Sequence, residues 1–180
     1  MPKISLDCRY LSVKAFDTLC QEIGLSGGTI DSAFGPILLR FLGDSLCGLG
    51  FEKSAFLKKK QPLLLFETAF QDNPQRCRHL MDSMETGKTI PTLLAGTPFQ
   101  HQVWQHLQTL PSGKTICYQE LAQQMGDVKK TRAVASALAR NPISWFIPCH
   151  RVLPKNKGIG HYLWGHALKE KLLQAEGVCL

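Results

Sequence analysis

No two of the seven cysteines, at positions 8, 20, 47, 77, 117, 149 and 179, form a C-x-x-C pair, and their number is odd. Disulfide frameworks and structural zinc sites are built from closely spaced pairs, so reduced thiols and no bound metal are expected. No apolar run approaches the ~18 residues of a membrane helix, and the start lacks the basic-then-apolar order of an export signal. The expectation is a soluble cytoplasmic protein with no membrane partner. Acidic residues are scarce in the second half: residues 1–90 carry eleven Lys or Arg against ten Asp or Glu, whereas residues 91–180 carry ten against four. The halves are therefore +1 and +6, together the chain's +7. A basic half on a balanced chain is either a solvated surface or one that binds a polyanion, nucleic acid foremost.

What is present fits one ordinary domain or two small ones: 180 residues, 44% hydrophobic,. Phe16, Leu19, Cys20 and Ile23 have helical spacing that stops at Gly24. Thr29–Ala33, Ile37–Leu42 and Leu46–Phe51 read as short strands, with turns at Gly35-Pro36 and Gly43-Asp44, and predict a small antiparallel sheet. Lys58, Lys59 and Lys60 read as a solvated loop. Residues 72–85 read as a helix capped by Asp72 or Asn73, with Pro74 in its first turn and Gly87 at its end. Lys88–Gly96 reads as a linker, which places a boundary near residue 90 between units 1–90 and 91–180.

In the second unit Thr97 and Pro98 open a helix whose buried stripe is Phe99, Val103, Trp104 and Leu107. Tyr118–Met125, a Gly126-Asp127 turn and Thr131–Arg140 then form helix, turn, helix. In the second of these helices Ala133, Ser136 and Ala137 make a face with little bulk, flanked by Arg132 and Arg140. Such a face either packs on a neighbouring helix or lets the backbone approach DNA closely. With few groups to read base edges, it would bind DNA with little sequence preference. Ile143–Ile147 reads as strand-like, Lys155–Gly160 as a loop and His166–Ala175 as a last helix. Glu176 sits at that helix's C-terminus, where the dipole favours cations, which suggests a partner elsewhere in the fold.

Ile147-Pro148-Cys149-His150-Arg151-Val152 sets a thiol beside an imidazole. A free thiol titrates near ~8.5 and is only a few per cent thiolate at neutral pH unless a base or positive charge assists it. This stretch supplies both kinds of help. The alternative is a buried structural cysteine.

Together these residues resemble the O6-alkylguanine-DNA alkyltransferase family, also called methylated-DNA-protein-cysteine methyltransferases. The likeness runs through Thr97-Pro98-Phe99-Gln100, Val103-Trp104, Pro111-x-Gly113, Tyr118-Gln119-x-Leu121-Ala122, Arg132-Ala133-Val134, Asn141-Pro142 and Ile147–Val152 to Glu176-Gly177. The first half matches more loosely, through Asp31-Ser32-x-x-Gly35 and Leu46-Cys47-Gly48-Leu49. The resemblance implies an α/β (α+β) fold: a small N-terminal antiparallel sheet domain, and a mostly helical, winged-helix-like domain with a helix-turn-helix.

It also implies a single-use repair protein that needs no cofactor. Cys149 takes the alkyl group from O6 of guanine, or O4 of thymine, in a flipped-out nucleotide of double-stranded DNA. His150 takes the thiol proton through a water, Glu176 holds His150, and Asn141 bridges the helix-turn-helix to the acceptor loop. Tyr118 hydrogen-bonds the departing base. Arg132, Ala133, Ser136, Ala137, Arg140 and Arg151 bind DNA, with Arg132 filling the gap in the duplex. Tyr118, Val152, Tyr162, Leu163 and Trp164 line the base pocket, and the bulk of Trp164 predicts methyl adducts over benzyl ones. Val128 stands where proline is usual. A monomer is expected. The rival readings are a non-catalytic lesion-binding module and a cysteine hydrolase.

Overall fold

A computed structural model describes residues 4–51, 69–155 and 158–179. The chain divides into two compact units, residues 2–98 and residues 99–180.

In the first unit β1 (Leu6–Leu11) leads into α1 (Val13–Ile23), which Ser12 caps by accepting from the Ala15 amide and Gly24 ends at φ 79°,. Phe16 is the buried residue of α1, packed with Leu25, Leu42, Cys47 and Leu93. Strands β2 (Leu25–Ile30), β3 (Ile37–Leu42) and β4 (Ser45–Phe51) form an antiparallel meander. Its β3–β4 turn is the two-residue Gly43-Asp44, with Gly43 at φ 57°, as a tight hairpin requires,. Strand β5 (Gln71–Asp72) is followed by α2 (Pro74–Thr86), capped by Asn73 on the Arg76 amide and ended by Gly87. Strand β6 (Ile90–Ala95) completes a six-stranded sheet of order β1-β6-β4-β3-β2-β5.

This sheet is mixed, not purely antiparallel: β6 runs parallel to both β1 and β4, and β5 runs parallel to β2. The expected linker is therefore largely a buried strand. Ile90, Leu93 and Leu94 enter the core, and residues 6–11 pair one for one with 90–95. Gly27-Gly28 lies inside β2, where a Cβ at Gly27 would sit 2.2 Å from the Leu39 carbonyl oxygen. These glycines mark a close approach of backbones. Lys58–Lys60 lie outside the described residues.

The second unit is mostly helical: α3 (Pro98–Gln108), α4 (Tyr118–Gln124), α5 (Thr131–Ala139) and α6 (His166–Ala175), with 3-10 turns at Val128–Lys130 and Cys149–Arg151. Val103, Trp104 and Leu107 are fully buried, each contributing on the order of 1.5–3 kcal/mol from burial,. The Trp104 indole N–H donates to the Ala137 carbonyl at 3.0 Å, which fixes α3 against the end of α5. Helices α4 and α5 pack as the helix-turn-helix, with Gly126 at φ 91° in its turn.

Among the described residues the strands of this unit are a short parallel pair, β7 (Ile116–Cys117) and β8 (Val152–Leu153), in place of the antiparallel hairpin of a wing. That pair has a functional consequence. It ties the residue before Tyr118 to the chain just after Arg151. Ile143–Ile147, expected as a strand, is a tight turn closed by an Ile147 amide to Ile143 carbonyl bond at 3.0 Å. Trp145 takes φ 75° there, a conformation that glycine would adopt without strain,.

Candidate active site

Pro148 precedes a single 3-10 turn that carries Cys149, His150 and Arg151. A 3-10 helix turns about 120° per residue, so three successive side chains leave in three directions. Cys149 is 8% exposed and His150 fully buried. The Cys149 sulfur accepts from Asn141 Nδ2 at 3.2 Å, and the same nitrogen donates to the Ile147 carbonyl at 2.8 Å. Asn141 Oδ1 in turn accepts from the Ile143 amide at 3.0 Å. A side chain just past α5 thus pins both ends of the turn leading to Cys149.

On the opposite side of the turn, His150 Nε2 lies 3.1 Å from Glu176 Oε1. Arg151 donates to both oxygens of the same carboxylate, Nε to Oε2 at 2.9 Å and Nη2 to Oε1 at 2.8 Å, and also to the Leu110 carbonyl. The Gly113 amide adds a longer bond to Oε2 at 3.4 Å. Burial pushes the Glu176 carboxyl up, but hydrogen bonds and charge from His150 and Arg151 outweigh it and bring it to about 2. The carboxylate is therefore ionised at neutral pH, so Nε2 carries a proton and donates it. His150 Nδ1 is left as the basic nitrogen, buried and with no hydrogen-bond partner among the described residues. Burial lowers the imidazole pKa, with Glu176 opposing, so the ring is neutral and able to take a proton.

The sulfur's surroundings act against one another. Burial pushes the Cys149 thiol up, while the Asn141 hydrogen bond, the charge of Lys169 and the Tyr162 hydroxyl pull it down; burial wins. The sequence suggested net assistance to the thiolate, but the resting thiol is protonated and must be deprotonated to react. Tyr118 opens α4, and both burial and the nearby Cys149 raise its phenol pKa, which keeps it a neutral donor. The Tyr162 hydroxyl is buried beside the sulfur and the Ser144 hydroxyl, without a hydrogen bond of full geometry.

Other expected site residues fall elsewhere. Arg151, assigned to DNA, has its guanidinium committed to Glu176 and Leu110 within the fold. Ala137 is 1% exposed and belongs to the buried stripe Val134, Ala137, Leu138 of α5, a spacing of three and four residues,. The exposed residues of α5 and its C-cap are Arg132, Ala133, Ser136, Ala139 and Arg140, with Arg140 donating to the Ser136 hydroxyl. Val152 is fully buried and Leu163 half-buried. Trp164 is 2% exposed, its indole N–H donating to Ser144 at 2.7 Å, so it is a core residue acting behind Ser144.

Sequence reasoning missed Ser144 and Lys169. Lys169 is 1% exposed and donates to the Val152 carbonyl at 2.7 Å. A lysine among Leu168, Leu172 and Leu173 was the available signal. All seven cysteines are free thiols, and among the described residues no three His, Cys, Asp or Glu side chains are placed to hold a metal ion.

Residues 98–178 match the family model described as the DNA binding domain of 6-O-methylguanine DNA methyltransferase. The chain is 42% identical over 107 residues to the bifunctional transcriptional activator/DNA repair enzyme Ada of Escherichia coli, covering 59% of this chain and 30% of that protein. It thus spans less than two thirds of the length of the first curated relatives it matches. A methylated-DNA–protein-cysteine methyltransferase of Methanosarcina acetivorans is 36% identical over 156 residues, 83% of this chain and 96% of that one. The crystal structure of the Mycobacterium tuberculosis O6-methylguanine methyltransferase superposes with a TM-score of 0.71 at 31% identity, covering 84% of this chain and 92% of that one. With these matches across both halves of the chain, it belongs to the methylated-DNA–protein-cysteine methyltransferase family.

Proposed function

We propose that the protein repairs DNA by direct reversal, taking a methyl or small alkyl group from O6 of guanine onto Cys149 in a single turnover. The observation that carries this reading is the Cys149, His150, Glu176 arrangement. An ionised carboxylate fixes the imidazole tautomer and leaves Nδ1, on the residue that follows the buried Cys149 thiol, as the basic nitrogen,.

His150 Nδ1 takes the thiol proton through a water. The sulfur then attacks the alkyl carbon in line: the S–C bond forms, the C–O6 bond breaks, and its electron pair remains on the guanine oxygen. The Tyr118 hydroxyl supplies a hydrogen bond to the departing base. A thioether has no leaving group that water could displace under these conditions, so the acceptor is spent.

O6 of a stacked guanine cannot reach a thiol that is 8% exposed, so the nucleotide must leave the duplex. Flipping costs a few kcal/mol, less for a poorly paired base. The exposed face of α5, with Ala133 and Ser136 between Arg132 and Arg140, permits a close minor-groove approach with little sequence preference, and Arg132 occupies the space the base vacates. The +6 charge of residues 91–180 supplies the phosphate attraction,. Tyr162, Ser144 and Trp164 bound the space behind the sulfur and favour methyl over benzyl adducts. We further propose a monomer that works in the cytoplasm. Among the described residues no helix is long and apolar enough to cross a membrane.

Titrating a fixed amount of protein with methylated duplex tests the reading. Product should stop at one equivalent per chain. Continued turnover would instead indicate a cysteine hydrolase, and binding without product a lesion-marking module.

A further inference from the structure

Helix α6 carries one charged residue in its buried stripe. Leu168, Leu172 and Leu173 are ordinary core positions, but Lys169 between them is 1% exposed. Burying an ammonium costs several kcal/mol unless charge and hydrogen bonds compensate it, so a leucine or methionine here would be the less costly choice. Its Nζ has three donors. Within the described residues one goes to the Val152 carbonyl at 2.7 Å, and no carboxylate forms an ion pair with it. Glu176, the carboxylate of this site, is already held by His150 and Arg151. The one group whose ionisation favours the lysine's charge is the Cys149 thiol, three residues before the carbonyl that Lys169 holds.

We propose that Lys169 is a positioning residue for the acceptor: a buried ammonium that fixes the Val152 carbonyl and provides the positive charge that the Cys149 thiolate faces. The inference rests on the reading of Cys149 as the alkyl acceptor. The other charged and titratable groups of the site are His150, Arg151 and Glu176, which bond to one another, and Tyr118 and Tyr162. The two tyrosines are neutral donors at neutral pH, and His150 is a neutral base, so none of these replaces the lysine's charge at the sulfur. Burial brings Lys169 itself down to about 8 while the sulfur pushes it up, the mutual dependence expected of a buried pair,. When His150 removes the thiol proton, the Lys169 charge stabilises the anion left behind. When the sulfur is alkylated it becomes neutral, and the lysine loses its counter-charge.

The test is a pH titration of thiolate absorbance near ~240 nm, taken as the difference between each protein and its Cys149→Ala counterpart, in the unsubstituted protein, Lys169→Gln and Lys169→Met. Glutamine keeps a donor for Val152 without the charge; methionine keeps only the bulk. Both should raise the Cys149 midpoint by about one unit or more, roughly tenfold less thiolate at a given pH. An unchanged midpoint in both variants, or a shift with methionine but not glutamine, overturns the proposal. Should the variants fail to fold, the unsubstituted protein decides. The NMR-detected titration of the Lys169 ammonium should move to lower pH once Cys149 is alkylated, and an unmoved titration overturns the proposal. Both readouts are made without DNA, so loss of repair activity on methylated duplex leaves them intact and their failure leaves the acceptor reading standing.

Discussion

The amide nitrogen of Asn141 donates to two acceptors at once, the Ile147 carbonyl at 2.8 Å and the Cys149 sulfur at 3.2 Å. One side chain, immediately after α5 and its C-cap, therefore sets the geometry of the acceptor. Because Asn141 is 2% exposed, removing it leaves the Ile143 amide buried without its partner, while the Ile147 carbonyl keeps the Cys149 amide. Such an orphan costs about 1–3 kcal/mol. Asn141→Ala should lose about 1–3 kcal/mol in urea unfolding and slow alkyl transfer as well. A variant with native stability would show that the bonds contribute little.

Glu176 gives the fold a pH dependence of definite sign. Its folded-state pKa, about 2, lies below the ordinary 4.5. The contribution is complete above about 4.5 and is lost as pH falls toward 2,. The shift corresponds to roughly 3 kcal/mol. The stability difference between the protein and Glu176→Gln should therefore be largest near neutrality and shrink through that acid range. A difference independent of pH between 2 and 7 would contradict the ionised carboxylate.

Arg151 is the second holder of that carboxylate. Breaking a buried pair by removing one partner costs about 3–5 kcal/mol. Arg151→Met should destabilise the protein by that order, and the affinity of the remaining folded protein for unmodified duplex should change little. Arg132→Ala should do the reverse, leaving stability within about 0.5 kcal/mol and cutting transfer from duplex far more than transfer from the free alkylated base. Affinity of both should fall steeply with added salt. Equal losses on duplex and free base would remove Arg132 from the flipping step.

Gly113 and Gly126 form an internal control. Both have positive φ, at 77° and 91°. A Cβ at Gly113 would lie 2.9 Å from the Glu176 carbonyl oxygen, whereas nothing lies within 4 Å of one at Gly126. Gly126→Ala should cost about 1 kcal/mol from backbone strain alone. Gly113→Ala should cost more and slow transfer, because it displaces the residue that holds His150. Matching costs at the two positions would mean that the contact is absorbed elsewhere.

The helices were legible because their ends are local: Gly24 stops α1, and Asn73 and Gly87 start and stop α2, through their own side chains or backbone freedom. Strand β6 was not, since Pro91 and Gly96 punctuate it like a linker and only its long-range pairing with β1 and β4 makes it a strand. In the site, the acceptor turn, Asn141 and Glu176 could be named from sequence. The direction of Arg151 could not, because the 3-10 turn sends it away from Cys149. Nor could the inward face of Ala137, since small residues mark a packed stripe and a DNA-facing stripe alike. Lys169 stayed hidden because its significance comes from what surrounds its ammonium, not from its neighbours in the chain.

The central claim is that the alkyl group ends on Cys149, once per chain. Incubation with duplex carrying one O6-methylguanine, followed by proteolysis and mass spectrometry, should show a single added methyl on the Cys149 peptide and none on the other six cysteines. The DNA should be restored in equal amount, and Cys149→Ala should give neither product. Restored DNA with an unmodified Cys149 peptide, or a methyl group on another cysteine, would contradict the account.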